Sequence, residues 1–230
     1  MKDHSEVEKN IGVKFRDQDL LTQALVHRSY LNEHPGFALG HNERLEFLGD
    51  AVLELVVTRH LFDAFPDKPE GELTNWRASL VKSQTLADAA EALNLYDSLH
   101  LSRGEARDTN EKARRYIIAN AYEAVIGAIY MDQDYDQAKD FIHRTLLPKL
   151  EEILEHKLYL DPKSRFQEKA QEIESITPRY QVMEESGPDH AKEFVIGVYL
   201  DNTEIARGRG ASKHEAEENA ARAAIQAKDW

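Results

Sequence analysis

Cysteine is absent from the 230 residues, which excludes a disulfide framework and any thiolate metal site. No apolar run approaches the roughly 20 residues needed to span a bilayer. The first ten residues, MKDHSEVEKN, are polar and mixed in charge, and read as neither a signal nor a transit peptide. The expectation is a cytoplasmic protein. Positive charge is scarce: 29 Lys and Arg stand against 42 Asp and Glu, a net charge of −13. Binding to phosphate backbones rests mainly on Lys and Arg, so strong metal-free, non-specific binding of a polyanion is excluded. Either the chain does not handle polyanions, or its basic residues are concentrated locally. Acidity alone does not exclude a metal-dependent enzyme, because bound cations partly neutralise an acidic cluster. Apolar residues make up 41 %, enough for one large core or two small ones.

The rest of the chain is organised around His41 to Val57, HNERLEFLGDAVLELVV. Read as a helix, it places Glu43, Glu46 and Asp50 at i, i+3 and i+7, on one face. The remainder is apolar on most of its circumference, which predicts a buried helix. Carboxylates on a buried helix are costly unless something offsets their desolvation, and a hard divalent cation is the common solution. For Glu43 a second reading, a carboxylate facing water at the rim of a bundle, stays open. A second apolar helical run, Tyr116 to Asp132, carries Asn120 and Glu123 at i and i+3. Two such helices face to face could gather Glu46, Asp50, Asn120 and Glu123. An oxygen-only set without Cys or His suits Mg²⁺ or Mn²⁺ and argues against zinc.

These two runs carry a resemblance. NERLEFLGD resembles the signature of the ribonuclease III family of double-strand-specific RNA endonucleases, and IIANAYEAVIGAIY is similar to that family's second catalytic helix. The resemblance covers the whole chain. It implies an all-α endonuclease domain over residues 1–155, a linker at 156–160, and a small α+β domain of α-β-β-β-α order over 161–230.

Along the first domain, a short helix is followed by a turn at Arg16–Asp17 and one helix through LLTQALVHRSYL, where His27 and Arg28 read as packing or capping residues. Pro35 and Gly36 end that region. Pro66, Pro69 and Gly71 mark a loop before a helix from about Glu72 to Lys82. Glu70 falls in that loop; the resemblance makes it an accessory acid, and a solvated loop acid is the equal alternative. Ser83 reads as an N-cap. Ser102 to Arg115 is polar and basic toward its end, so it either lies against an RNA backbone or is a solvated loop. A last amphipathic helix is interrupted at Pro148.

The pattern changes near Leu160. Asp161-Pro162 is a helix-start signal. Three strand-like runs follow, PRYQVMEES, KEFVIGVYLDN and TEIARGRG, and then an alanine-lined helix, SKHEAEENAARAAIQAK. This domain resembles a double-stranded RNA-binding domain. The resemblance implies RNA contacts by Ser164, Gln167, Glu168 and Gln171 on the first helix, Pro188 and His190 in the GPDH loop, and Ser212, Lys213 and His214 at the last helix. The chemistry agrees: the wide minor groove of A-form RNA suits neutral polar side chains, and its major groove is sensed through phosphates, which a helix N-terminus favours.

Two departures weaken RNA binding. His214 stands where the family usually has a second Lys. In addition, Asp161 to Trp230 holds ten Lys and Arg against fourteen Asp and Glu. Only Ile205 to His214, with Arg207, Arg209 and Lys213, forms a basic patch. A third departure touches the chemistry: Asn120 stands where the family more often has Asp. An amide oxygen still ligates a hard cation, with one negative charge fewer. A natural active variant, an impaired form and a non-catalytic RNA-binding adaptor all accommodate it; the intact Glu46, Asp50 and Glu123 favour the first.

The resemblance implies hydrolysis of double-stranded RNA to 5′-phosphate and 3′-hydroxyl ends with a two-nucleotide 3′ overhang. The substrates implied are structured RNA such as ribosomal, messenger and transfer RNA precursors. Two Mg²⁺ per site, replaceable by Mn²⁺, would be held by Glu46, Asn120 and Glu123, with Asp50 as a ligand or as the group orienting water. No small-molecule cofactor is expected. A homodimer is implied, with Phe47 plugging into the partner; ordinary core is the other reading of Phe47. The rivals are the adaptor and an all-α hydrolase of small molecules.

Overall fold

The computed structural model describes residues 4–188 and 192–230. The chain divides into two compact units, Met1–His156 and Lys157–Trp230.

The first unit is helical: α1 (Ser5–Ile11), α2 (Gln18–Ala24), α3 (Arg28–Glu33), α4 (Glu43–Ala64), α5 (Glu70–Val81), α6 (Ser83–Ala92), α7 (Glu111–Asp132), α8 (Tyr135–Thr145) and α9 (Lys149–Glu155). Helix α7 is its axis. Ten of its residues are buried, Ile118 to Ile129 with few breaks, and α2, α4, α6 and α8 pack around it. Tyr122, fully buried, ties α7 to α8 through a 2.6 Å hydrogen bond to the Thr145 hydroxyl.

Four local expectations are corrected. The single helix through LLTQALVHRSYL is two helices, because Leu25 to His27 leaves helical geometry to pair with a distant segment. His100 N donates to Leu25 O at 2.8 Å and His27 N to His100 O at 3.1 Å. His27 then caps α3, its Nδ1 accepting from Ser29 N. Helix α5 starts at Glu70, so Glu70 and Gly71 are its first turn and not loop; Pro69 supplies the extended residue that precedes it. Ser83 is the first residue of α6, and Lys82 occupies the cap. The basic end of Ser102–Arg115 lies in α7 and is occupied: Arg115 contacts Asp88 and Glu91, and Arg114 stacks 3.9 Å over the Tyr96 ring.

The second unit contains α10 (Pro162–Glu174), β1 (Arg179–Ser186), β2 (Glu193–Leu200), β3 (Thr203–Gly210) and α11 (Lys213–Lys228). Asp161 caps α10 by accepting from Ser164 N at 2.9 Å, with Pro162 in the first turn. The strands form an antiparallel sheet in the order β1-β2-β3. Phe166, Ala170, Val198, Leu200, Ala220, Ala221 and Ala224 form its core. The alanines let α11 lie close, and Gly208 makes this possible: a Cβ there would stand 2.1 Å from Ala220 N.

Candidate active site and nucleic-acid interface

Two glycines assemble the acidic cluster. Gly49 precedes Asp50, and Gly127 lies one turn after Glu123. A Cβ on Gly49 would stand 1.8 Å from the carbonyl oxygen of Glu123, and one on Gly127 would stand 2.1 Å from that of Leu45. The backbones of α4 and α7 therefore touch, as no other residue type permits. Their polar faces meet at the same level. The Asn120 amide hydrogen-bonds the Glu46 carboxylate, and Asp50 and Glu46 both act on Glu123.

Glu123 is pushed up to about 8, first by burial and then by the charges of Asp50 and Glu46. Glu46 is also raised, by burial and by the negative charge of Glu43 with a smaller push from Asp50, against the opposing hydrogen bond from Asn120. An acid held neutral by burial and by neighbouring acids marks a place where positive charge is wanted. The donor set of carboxylates and an amide suits a hard cation. Among the described residues, no three Asp, Glu, His or Cys side chains close on one point.

Glu43 is exposed and held by Arg28 at 3.6 Å, while His41 Nδ1 accepts from Glu43 N at 3.4 Å. Arg28 was expected to pack or cap, and instead faces the acidic cluster; no signal in its own neighbourhood announces this, because the ion pair joins two helices. Glu70 does not reach the cluster. It accepts a hydrogen bond from Thr74 at 2.9 Å and lines a separate cavity with Leu61, Phe62, Phe65 and Leu73, between the C-terminal half of α4 and α5. Phe47 is 80 % exposed, so it is not core of its own chain. With it, Leu55 and Phe62 are exposed along one stripe of α4, and the expectation of a helix buried on most of its circumference is corrected.

In the second unit, Ser164, Gln167, Glu168 and Gln171 line one exposed, shallow groove of α10. Their spacing of i, i+3, i+4 and i+7 puts them on one face. Ser212 caps α11, its hydroxyl oxygen accepting from Glu215 N at 3.1 Å, while the Glu215 carboxylate accepts from Ala211 N at 3.0 Å. Lys213 follows, 5.7 Å above the Phe194 ring, and His214 leans back to Glu218 at 3.2 Å. The basic patch is smaller than its sequence. Gly208 and Gly210 face α11, so Arg207 and Arg209 point to the opposite side of the sheet. Arg207 is also held by Glu204 at 2.6 Å. Pro188 is exposed; His190 lies outside the described residues.

Comparison with known proteins bears on this arrangement. Residues 17–150 match the Ribonuclease-III-like family, and residues 162–228 match the double-stranded RNA binding motif. Ribonuclease 3 of Dehalococcoides mccartyi is 42 % identical over 226 residues, covering 98 % of this chain and 95 % of that protein. The chain belongs to the ribonuclease III family. Ribonuclease 3 of Geobacillus kaustophilus is 44 % identical over 222 residues, covering 96 % of this chain and 89 % of its own. Among solved structures, the nuclease domain of Campylobacter jejuni ribonuclease III superposes with a TM-score of 0.56 at 37 % identity, over 62 % of this chain and 95 % of that one. As a ribonuclease III, the protein is an endoribonuclease acting on double-stranded RNA. The RNA-binding unit argues against the small-molecule hydrolase, and membership of the family argues for the endoribonuclease over the silent adaptor.

Proposed function

We propose that the cluster of Glu46, Asp50, Asn120 and Glu123 is the hydrolytic centre, loaded with two Mg²⁺ ions that Mn²⁺ can replace. Glu46, Asn120 and Glu123 are the ligands, and Asp50 either ligates or orients the attacking water. The observation that carries this reading is the backbone contact of α4 and α7 at Gly49 and Gly127, which sets Glu123 beside Asp50 and Glu46. Bound divalent ions supply Lewis-acid polarisation of the phosphate and lower the pKa of a bound water. The chain's own residues do the rest. Glu46 is oriented by the Asn120 amide. Arg28 holds Glu43 at the rim, which limits its repulsion of incoming phosphate. The exposed face of α10 and the start of α11 would meet the minor groove and flanking phosphates of a duplex.

The products in this reading are 5′-phosphate and 3′-hydroxyl ends with a two-nucleotide 3′ overhang, made from structured RNA such as ribosomal, messenger and transfer RNA precursors. The place of action we propose is the cytoplasm, on the strength of the substrate class. Staggered cuts need two sites at fixed separation, and a homodimer provides them. The exposed stripe of Phe47, Leu55 and Phe62 supports such a pairing, and the C. jejuni nuclease domain has a region involved in dimer formation. The experiment is cleavage of a long perfect RNA duplex with Mg²⁺ and then Mn²⁺, comparing the chain with Glu123→Gln. Cleavage lost in the variant supports the site; cleavage retained by Glu123→Gln overturns it.

A further inference from the structure

Helices α4 and α8 frame a second polar cavity, of about 510 Å³. Helix α4 presents Arg59, His60 and Asp63 to it, and α8 presents Tyr135, Lys139 and His143. His60 lies ten residues beyond Asp50, roughly 15 Å further along the helix, so this cavity is separate from the acidic cluster. No part of the nuclease reading uses it.

We propose that this cavity is a binding site for a phosphate group. Its charges favour an anion. Asp63, the only carboxylate in the lining, is engaged by Arg59 Nε at 2.6 Å. Lys139 has no ion-pair partner among the described residues. His60 and His143 pack edge to face against each other in the cavity wall, ring centroids 5.3 Å apart. Both are half-buried; Asp63 is the carboxylate that lines the cavity with them, while Asp136 and Asp140 are exposed on α8 three residues before Lys139 and His143. Two imidazoles could instead suggest a transition metal. However, Asp63, the third such group in the lining, is taken up by Arg59, no three of these side chains converge on one point among the described residues, and the two cations beside them oppose one. An oxyanion seated in the cavity beside the ring pair would accept from an imidazole N–H, from Lys139 and from the Tyr135 hydroxyl.

Proton uptake accompanies such binding. In the free protein the His60 pKa is lowered by burial and by the charge of His143, with Asp63 opposing. Around it stand Arg59 and Asp63 on its own helix, and Tyr135, Lys139 and His143 on α8. A bound dianion reverses the balance and draws protons onto the imidazoles, so affinity rises as pH falls through the histidine range.

The test is a sulfate titration of the metal-free full chain, following the imidazole C–H resonances of His60 and His143. Sulfate keeps its charge over this range, so only the protein titrates. At about pH 6 both resonances are expected to move downfield and saturate, with affinity at least about tenfold weaker at about pH 8. Lys139→Gln is expected to weaken binding about tenfold with an unchanged unfolding temperature, and in His60→Gln the His143 resonance reports the same loss. Shifts that do not saturate by tens of millimolar, or that persist unchanged in both variants, overturn the site. A 5′-phosphorylated RNA duplex without divalent ions then identifies the source. Competition with sulfate assigns an RNA phosphate; simultaneous binding assigns a free phosphate or nucleotide. The sulfate readout does not depend on cleavage, so it stands or falls apart from the nuclease reading.

Discussion

Helices α4 and α7 are 22 residues each, and both read as apolar runs interrupted by a few acids or amides. Their environments differ. Helix α7 is closed on nearly all sides by α2, α4, α6 and α8, and its ten buried residues include Tyr122 and Ile129. Helix α4 buries only seven and turns Phe47, Leu55 and Phe62 outward. The same composition thus answers two needs: one helix fills the core of its own chain, and the other keeps an apolar stripe for something else to cover. The two meet where neither has a side chain, at Gly49 and Gly127. The cluster we propose as the hydrolytic centre sits beside that contact.

The contact is therefore the place where the comparison breaks most completely. Gly49→Ala would drive a methyl into the Glu123 carbonyl oxygen. Backbone cannot yield as a side chain does, so the helices must separate. We expect a loss of at least about 3 kcal/mol, the upper range for overpacking, together with loss of cleavage at any metal concentration. Thermal unfolding of the metal-free variant measures the first and duplex cleavage the second. A variant with native unfolding temperature would show that the helices do not meet at these glycines.

Glu123→Gln tests the chemistry on α7 without moving the helix. The amide keeps the volume and removes the charge that a cation needs. Cleavage should fall by at least about a hundredfold, as for loss of an important polar group in an active site, while duplex binding is retained. A gel-shift assay beside the cleavage assay separates the two.

The outward stripe on α4 sharpens the other half of the comparison. Leu55→Glu or Phe62→Glu places a charge on a face that is already exposed in the single chain, so the fold of the unit should survive. If the stripe is covered by a second copy, self-association weakens at least about a hundredfold, since a carboxylate buried without a partner costs several kcal/mol. Light scattering and sedimentation read this directly. An unchanged mass in both variants would move the dimer contact off this stripe.

The next effect is a matter of pH and sign. Glu123 has a folded-state value of about 8 against an ordinary 4.5. Below the ordinary value the group is neutral in both states and costs nothing. As pH rises toward 8 the unfolded chain ionises first and the folded state loses stability relative to it. In chelator, the unfolding temperature should therefore fall between about pH 5 and pH 8, and Glu123→Gln should flatten that fall. Saturating Mg²⁺ should remove it, because cation binding favours the ionised form.

Much of this was legible in the residues. Acids at helical spacing within greasy runs point to a pair of facing helices, since desolvated carboxylates need a reason. The change to two-residue alternation in EFVIGVYL marks the sheet; β2 spans Glu193–Leu200, with Ile196, Val198 and Leu200 buried. What was hidden depends on partners distant in the chain. The break between α2 and α3 has neither Pro nor Gly; His100 makes it by pairing with Leu25 and His27. Arg28 looks like a capping residue until Glu43 is beside it. The basic run from Ile205 to His214 looks like one patch until strand alternation sends Arg207 and Arg209 away from α11. Gly49 reads as a weak helix residue until α7 is seen to need its missing side chain.

The smallest expected change returns to the seam between the two helices. Asn120 donates its amide to Glu46 and so relieves part of the repulsion that Glu43 and Asp50 impose there. Asn120→Asp would remove that donor and add a fourth charge to the group. Without metal, two neighbouring carboxylates would face each other, and the protein should lose stability, by about 1 kcal/mol for a partly solvated pair. With metal the sign reverses. An added carboxylate strengthens the hold on a divalent cation, by about tenfold for each 1.4 kcal/mol gained. The unfolding temperature should therefore drop in chelator and rise in Mg²⁺ relative to the parent, and half-maximal cleavage should move to lower Mg²⁺. A drop under both conditions would mean that Asn120 positions Glu46 without ever facing the ion.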